Sequence, residues 1–174
     1  MKKMKARKKL NFEYSSGGVV FKKEKGKILW LITKSSPSEL YPNSIWRLPK
    51  GWLDDEKKGP GPLTRGEKRA TENDLKNTAI REVKEEAGIK AKIIQKIGTT
   101  KIFYTKNGER FIKYITFYLM RWEKDLAEGF GFETSEIGWF TFNEAQKKLK
   151  FKNEKEIFRK AKKIIDSIFQ ESFL

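Results

Sequence analysis

Short apolar runs bounded by turn residues dominate the first two thirds of the chain, and they predict β-strands. The runs SSGGVVFKK (15–23) and KGKILWLITKS (25–35) are rich in Val, Ile, Leu and Trp, and the KEKGK segment predicts a hairpin turn between them. The runs AKIIQKIGTTKIFY (91–104) and ERFIKYITFYLMRW (109–122) predict a second hairpin, because Asn107-Gly108 between them favours a tight turn. The segments IWRLP (45–49) and EIGWFTF (136–142) predict two further short extended pieces.

Apolar residues recur at helical spacing in three other segments. In residues 74–88, Leu75, Ala79 and Val83 share one face with either Ile80 or Ala87. We expect Asn73 or Asp74 to cap this helix and Gly88 to end it in the left-handed conformation. Residues 143–150 and 153–170 predict two C-terminal helices. The second has an apolar stripe that we expect to pack in the core, formed by Ile157, Phe158, Ala161, Ile164, Ile165, Ile168 and Phe169.

The order of elements is strands, one helix, strands and terminal helices, which predicts a mixed α+β protein or an α/β/α sandwich. A chain of 174 residues is long enough for one domain with a sizeable core. We expect residues 1–12 to be a basic, disordered tail and residues 13–174 to form a single domain. Residues 50–73 contain Gly59-Pro60-Gly61-Pro62 and predict an irregular loop.

The amino-acid composition restricts the partners and the catalytic groups that the chain can use. The 39 Lys and Arg residues exceed the 23 Asp and Glu residues, and the net charge of +16 favours polyanionic partners such as phosphorylated metabolites, nucleic acid or acidic membranes. The absence of cysteine excludes disulfides and thiolate metal sites and fits a reducing compartment, so a cytoplasmic location is predicted. The absence of histidine excludes imidazole as a metal ligand or base. No apolar run of membrane-spanning length occurs, so no membrane association is predicted.

The segment REVKEEAGI (81–89) places three acidic residues within about 100° of one another on a helix. Carboxylates this close repel one another, and a hard divalent ion such as Mg²⁺ or Mn²⁺ would relieve the repulsion. A solvated helix face is the alternative interpretation of Glu82, Glu85 and Glu86. The preceding RLPKGWLDDE segment adds Lys50, whose ammonium suits phosphate, and Gly51, which permits close backbone approach, although an ordinary turn also explains this pair.

Residues 81–89 resemble the second half of the signature of the Nudix hydrolase family. That signature reads Gly, five residues, Glu, seven residues, Arg-Glu, an aliphatic residue, any residue, Glu-Glu, any residue, Gly and an aliphatic residue. The first half departs from it, because Gly51 stands 30 positions before Arg81 instead of 14. The 16 extra residues predict an inserted loop at about 54–72, expected to be mobile or to act as a lid. Asn73 stands where the signature has its first Glu, and Glu72 is one position away.

Four further segments resemble the diadenosine tetraphosphate (Ap4A) hydrolase-like branch of that family: SSGGVVF, WRLPKG, KYITFYL and SEIGWFTFNEAQKKLKF. The resemblance implies a Nudix-type α/β/α sandwich with a mixed central sheet, a Nudix helix at about 74–87 and C-terminal helices. It implies Mg²⁺-dependent hydrolysis, with Mn²⁺ as an alternative ion, of a phosphoanhydride bond in a nucleoside diphosphate-linked substrate. The predicted substrate is Ap4A or a related nucleoside polyphosphate.

The same resemblance implies roles for individual residues. Glu82, Glu85 and Glu86 would hold the metal with the backbone carbonyl of Gly51 or Lys50. Glu133, six residues before Trp139, would join the metal site or act as the base, with Glu136 as a second candidate. Whether Glu82 or Glu133 is the general base stays open.

The remaining implied roles concern the substrate and the shape of the site. Lys50 and Lys113 would bind phosphate. Phe117, four residues after Lys113, would stack on the base, although a core position explains it equally well. Tyr104 is a further stacking candidate, followed by Tyr114 and Tyr118. Two residues of the signature are predicted to be structural, namely Arg81 and Gly88.

Two other functions remain compatible with the sequence. The basic tail and the net charge of +16 would also suit an RNA 5′-pyrophosphohydrolase, which acts on a longer polyanion. Asn73 and the stretched loop leave room for a catalytically silent protein that binds nucleotide. The oligomeric state is not predicted by any feature of the chain.

Overall fold

A computed structural model describes residues 9–39, 41–56 and 59–171. The elements within these ranges are β1 (Leu10–Glu24), β2 (Lys27–Ser35), β3 (Trp46–Arg47), β4 (Lys50–Trp52), β5 (Asp55–Glu56), β6 (Gly59–Pro60), α1 (Glu72–Ala87), β7 (Ile89–Lys106), β8 (Glu109–Asp125), β9 (Thr134–Phe140), α2 (Phe142–Lys148) and α3 (Lys152–Glu171).

The central sheet is mixed, as predicted. Strand β1 lies parallel to β8 and antiparallel to β2 and β4, and the other neighbouring pairs in this sheet are antiparallel. Both predicted hairpin turns are confirmed, because Lys25-Gly26 and Asn107-Gly108 have the positive φ angles that a tight two-residue turn requires. The sheet thereby brings β4, which begins with the predicted phosphate-binding Lys50, next to the middle of β1.

Alternate residues of the central strands enter two separate hydrophobic cores. Val19 of β1, Trp30 of β2 and Phe117 of β8 lie in the core that is covered by α2 and α3. Their neighbours Val20, Leu31 and Tyr118 lie in the core that is covered by α1. Successive side chains of a strand point to opposite faces, so this alternation is expected for a sheet that is buried on both faces. The predicted α/β/α sandwich is therefore confirmed.

Helix α1 begins two residues earlier than predicted. The predicted caps Asn73 and Asp74 are wrong: Thr71 caps the helix, and Asp74 completes a capping box by accepting the backbone N–H of Thr71 at 2.7 Å. At the other end Gly88 has φ 65° and donates its N–H to the Lys84 carbonyl at 2.8 Å, which confirms the predicted left-handed stop. Ala87, not Ile80, completes the buried stripe, because Ile80 is exposed.

The C-terminal helices pack as their apolar pattern predicts. Ile157, Phe158, Ala161 and Ile165 are buried against the sheet, and Ile164 and Phe169 pack partly on the same core. This confirms that the stripe is core packing. None of the helices within the described ranges combines the length and the apolar content of a membrane span.

The inserted loop is more regular than predicted. Its first residues form the β5–β6 hairpin, and the Asp54 carboxylate then accepts the backbone N–H groups of Leu63 at 3.0 Å and Thr64 at 2.8 Å. Burial opposes ionisation of Asp54, but these N–H donors hold the pKa of its carboxyl below the usual value. Thr64 is buried, and its carbonyl accepts the N–H of Tyr14 on β1. The described part of the loop is therefore attached to the central sheet.

The N-terminal boundary also differs from the prediction. Strand β1 begins at Leu10, so residues 10–12 belong to the sheet and not to a tail. Their pairing with β8 explains the difference, because Leu10 lies opposite Arg110 at the start of a parallel ladder. Residues 1–8 of the predicted tail lie outside the described residues.

Candidate active site

A cavity of about 630 Å³ opens between β4, the C-terminal half of α1 and the loop that precedes β9. Its charged lining contains six acidic and five basic side chains. They are Asp55, Glu82, Glu85, Glu86, Glu128 and Glu133, with Arg47, Lys50, Arg81, Lys84 and Lys113. The structure thus brings all four predicted catalytic glutamates, both predicted lysines and Gly51 to one cavity.

Helix α1 presents its glutamates beside its hydrophobic stripe. Ala79 and Val83 are buried under the sheet, and Glu82 and Glu86, adjacent to this stripe, are buried at the cavity wall with 6% and 3% of their surface exposed. Glu85 lies at the rim and is exposed. The solvated-face interpretation is therefore wrong for Glu82 and Glu86, because packing of the helix places both carboxylates in the protein interior.

Glu86 is bound to the chain segment that crosses from β3 to β4. Its carboxylate accepts the Arg47 guanidinium at 3.0 Å and the backbone N–H of Lys50 at 3.0 Å. Burial raises the pKa of Glu86, and the charges of Arg47 and Lys50 oppose the shift. This carboxylate therefore fixes the β3–β4 turn against the helix.

Glu82 faces the backbone of Gly51. A Cβ atom at position 51 would collide with the Glu82 carboxylate, so only glycine allows the strand to approach so closely. Burial raises the pKa of Glu82 to about 7; the nearby Arg81 offsets part of this effect, and the charges of Glu86, Glu85 and Glu133 add to it.

Arg81 links the helix to the loop after β4. Its guanidinium donates to the Trp52 carbonyl at 2.8 Å and contacts the carboxylates of Glu82 at 2.8 Å and Glu85 at 3.1 Å. These contacts are of the kind that a structural residue would make, and the structural role of Arg81 stays a prediction. Gly88 ends the same helix at the edge of the site.

Glu133 comes from the opposite wall of the cavity. Its side chain is exposed and lines the same cavity as Glu82 and Glu86, and its negative charge contributes to the raised pKa of both carboxyl groups. Its backbone carbonyl accepts the N–H of Ser36 at 2.8 Å. Glu136, the second candidate, does not line the cavity and pairs with Lys34 at 3.3 Å. The geometry therefore favours Glu133 over Glu136.

The two predicted phosphate-binding lysines differ in their partners. The Lys50 ammonium lies 2.7 Å from the carboxylate of Glu154, a fully buried residue of α3 that also accepts the Leu48 N–H at 3.0 Å. Lys113 lies 3.9 Å from Glu13. Burial and the nearby Lys50 lower the pKa of Lys113 to about 8, although Glu13 opposes the shift. Lys113 is thus the less tightly paired of the two ammonium groups.

The aromatic residues predicted to stack on a base are not at the cavity. Phe117 and Tyr118 have no exposed surface, so a base cannot contact either ring without opening a core. Tyr104 stacks on Phe111 with ring centroids 5.0 Å apart, and Tyr114 stacks on Tyr14. Stacking by Phe117 is therefore corrected to core packing.

Sequence reasoning missed three aromatic residues that line the cavity, namely Trp52, Phe130 and Phe132. The available signal for the two phenylalanines was the GFGFE segment (129–133), in which aromatic residues alternate with glycine directly before Glu133. Glu154 was also missed. Its position in an otherwise amphipathic helix gave no indication that it would be buried beside Lys50.

A model of the NUDIX domain family matches residues 14–161, which is most of the chain. The chain belongs to the Nudix family. Nudix hydrolases generally use divalent metal ions, typically Mg²⁺.

Individual relatives agree with the Nudix assignment. The chain is 27% identical over 124 residues to a Mycobacterium tuberculosis protein named "Putative mutator protein MutT4", and the match covers 71% of this chain and 44% of that protein. The chain therefore spans less than half the length of this relative. An Ap4A hydrolase from C. elegans superposes with a TM-score of 0.61 at 21% identity, covering 89% of this chain and 98% of the other. The NUDIX domain of Shewanella oneidensis NrtR, complexed with ADP ribose, superposes with a TM-score of 0.57 at 13% identity, covering 88% of each.

The donor atoms at the Nudix site suit a hard divalent ion, because the glutamates and the Gly51 backbone offer only oxygen. Among the residues that the structure describes, however, no three acidic side chains are already arranged to hold an ion. Arg81 occupies the space between Glu82 and Glu85. A cationic group therefore already bridges these two carboxylates in the structure. The residues fit a divalent ion in the chemistry of their oxygen donors.

Proposed function

We propose that this Nudix protein hydrolyses a phosphoanhydride bond in a nucleoside diphosphate-linked substrate, with Mg²⁺ as the natural ion and Mn²⁺ as a substitute. The observation that carries the proposal is the convergence of Glu82, Glu85, Glu86 and Glu133 on one cavity. Glu82 and Glu86 are buried there at the cavity wall, and burying carboxylates is costly unless cations neutralise them. Such a cavity is suited to binding cations beside a polyphosphate.

The proposed chemistry assigns a role to each group. Bound Mg²⁺ would neutralise phosphate charge and acidify water. Glu82, Glu85 and Glu86 would hold it, with the Gly51 carbonyl. Glu133 is exposed to the cavity and would accept the proton of the attacking water as the phosphorus–oxygen bond of the leaving phosphate breaks. The Lys113 ammonium, only loosely paired with Glu13, would bind the polyphosphate, and Lys50 would position the turn beside it.

The proposed substrate is Ap4A or a related nucleoside polyphosphate. The C. elegans Ap4A hydrolase superposes over nearly its whole length, and the sequence segments described above resemble that branch. Other structures of the same fold bear names that point to ADP-ribose and MutT-type proteins, so substrate choice is a matter for experiment.

A substrate panel tests the proposal directly. The full chain would be assayed with Mg²⁺, with Mn²⁺ and with EDTA on Ap4A, adenosine 5′-tetraphosphate, ADP-ribose and nucleoside triphosphates, with products separated by chromatography. We expect metal-dependent cleavage of Ap4A or another nucleoside polyphosphate with the highest kcat/KM. Absence of cleavage of every compound would contradict the proposal and favour a protein that only binds nucleotide.

One observation favours RNA with a 5′-triphosphate as a second candidate substrate. The net charge of the chain is +16, yet acidic side chains outnumber basic ones in the cavity, so the excess positive charge lies outside it. An extended polyanion could contact this outer charge while its 5′ end enters the cavity. Triphosphorylated RNA therefore belongs in the panel, with the chain tested both complete and without residues 1–8.

A further inference from the structure

Two phenylalanines stand exposed at the same cavity as the glutamates. Phe132 has 90% of its surface in contact with solvent and Phe130 has 41%, and both line the cavity. Exposure of a large apolar ring is unfavourable in water, and two such rings beside a charged cleft mark a surface suited to a planar apolar ligand. Neither ring is needed by either hydrophobic core.

The backbone that carries these rings is held in place by the protein. The Gly131 N–H donates to the Glu85 carbonyl at 2.7 Å, and the Ser36 hydroxyl donates to the Phe132 carbonyl at 2.7 Å. The Leu126 N–H donates to the Gly88 carbonyl at 2.8 Å. Hydrogen bonds to the loop backbone from the end of α1 and from Ser36 after β2 therefore position the loop, and none of them uses the two aromatic side chains.

The same loop carries the two rings and one of the cavity glutamates. Phe132 is adjacent in sequence to Glu133, which lines the same cavity as Glu82 and Glu86, and the Gly131 contact joins the loop to α1 at Glu85. Both rings line the same cavity as these glutamates and Lys113, so a ligand that binds its phosphates there can place its remaining part against the rings. In a nucleoside polyphosphate that remaining part is a ribose with a planar base.

We infer that Phe130 and Phe132 form a stacking surface for the nucleobase of the substrate and so help to determine which phosphate compounds the enzyme accepts. This inference rests on the proposed function. Stacking on an aromatic side chain recognises the flat face common to all bases, so it selects nucleotides over inorganic polyphosphate without choosing among bases. The occupant is the base of a nucleoside polyphosphate.

Alanine variants of the two rings test the inference against a matched control. Phe132→Ala, Phe130→Ala and the double variant would be compared with Phe103→Ala, which removes a 67% exposed ring of β7 that does not line the cavity. We expect the KM for Ap4A to rise about tenfold in Phe132→Ala and further in the double variant, with kcat changed less than about threefold. Phe132→Tyr should restore the KM, and Phe103→Ala should leave it unchanged.

Two ligands separate base recognition from other effects. Inhibition by inorganic tripolyphosphate, which has no base, should be the same in all variants; a parallel loss would overturn the inference, because the loop would then act on the phosphate site. Equilibrium binding of a methylene-bridged Ap4A analogue should weaken about tenfold in Phe132→Ala. No binding of this analogue by the unmodified protein, or equal binding by both, would also overturn it. Failure of the unmodified chain to cleave any substrate would contradict the proposed function, whereas the analogue measurement still decides the inference.

Discussion

Glu86 is a single residue that connects the cavity to the β3–β4 turn. Its carboxylate faces the cavity and also accepts Arg47 and the Lys50 N–H. Glutamine has nearly the same shape and retains an acceptor oxygen but lacks the charge. We therefore expect Glu86→Gln to fold normally and to lower turnover by at least ~100-fold, measured as kcat with Mg²⁺ alongside a circular-dichroism spectrum.

The control for this variant is the same substitution away from the cavity. Glu136 is exposed and pairs only with Lys34, so Glu136→Gln should keep nearly full turnover. Glu85→Gln at the cavity rim should resemble Glu86→Gln in its loss of turnover. If both cavity variants retained near-normal activity, the proposed metal site would be wrong.

Glu82 gives the protein a specific dependence on pH. Burial raises the pKa of its carboxyl from 4.5 to about 7, so the folded protein binds this proton more tightly than the unfolded chain does. The resulting contribution to stability is complete below pH about 4.5 and is lost as the pH rises through 7. In EDTA, the free energy of unfolding should therefore decline more steeply between pH 5 and 8 than in Glu82→Gln, as measured by urea denaturation of both proteins.

Mg²⁺ affinity should change with pH in the opposite sense. A metal ion needs the ionised carboxylate, so Mg²⁺ must displace the Glu82 proton, and calorimetric titration should show its affinity falling as the pH drops below about 7. The stability prediction for Glu82 would be contradicted if the free energy of unfolding changed equally with pH in the unmodified protein and in Glu82→Gln. That result would show that this carboxyl does not hold the proton.

At the scale of elements, α3 is attached to the β3–β4 turn through a buried charge. Glu154 accepts the Leu48 N–H and lies 2.7 Å from the Lys50 ammonium. Glu154→Gln preserves an acceptor for Leu48 but leaves the ammonium without a counter-charge. We expect a loss of about 3 kcal/mol in the free energy of unfolding, together with lower kcat because the turn also carries the Glu86 contacts.

Two further variants distinguish the buried pair from a general effect of the helix. Glu156 is exposed on the same helix, and Glu156→Gln should leave both quantities unchanged. Adding Lys50→Met to Glu154→Gln removes the unpaired ammonium and should recover stability without recovering kcat. Unchanged stability in Glu154→Gln would show that the pair does not hold the turn.

Predictions from the sequence were most accurate for features that depend on a single helix, strand or turn. Short apolar runs bounded by turn residues predicted the strands, Asn107-Gly108 predicted the hairpin, and the glutamate spacing on α1 predicted the residues that meet at the cavity. These predictions were least accurate where two distant elements meet. Phe117 has the strand position expected for a stacking residue, but α2 and α3 cover that face of the sheet. The loop with Phe130 and Phe132 is held at the cavity by hydrogen bonds to the end of α1 and to Ser36 after β2.

At the scale of the whole molecule, the excess positive charge lies outside the cavity that contains the candidate active-site residues. The chain carries +16 overall, while the charged lining of the cavity is slightly acidic. The outer charge can attract a polyanion over several ångströms but does not hold it in the cavity. Added salt should therefore slow the association of enzyme and substrate more than it slows the chemical step.

We expect the KM for Ap4A to rise at least about threefold between 50 and 200 mM salt, with kcat nearly constant. Removing residues 1–8 deletes five basic residues and should flatten the salt dependence for triphosphorylated RNA more than for Ap4A. Initial rates at matched Mg²⁺ concentrations would measure both effects. A kcat that fell with salt while KM stayed constant would contradict this separation.

The packing of helix α1 also affects how the protein should lose activity on heating. Val83, in the hydrophobic core, lies next to Glu82 in sequence, so the helical turn that carries the carboxylates cannot detach without opening that core. The buried carboxylates of α1, Glu82 and Glu86, therefore belong to a cooperatively folded part of the protein and not to a segment that frays early. Thermal inactivation should coincide with global unfolding, without a preceding inactive but folded population.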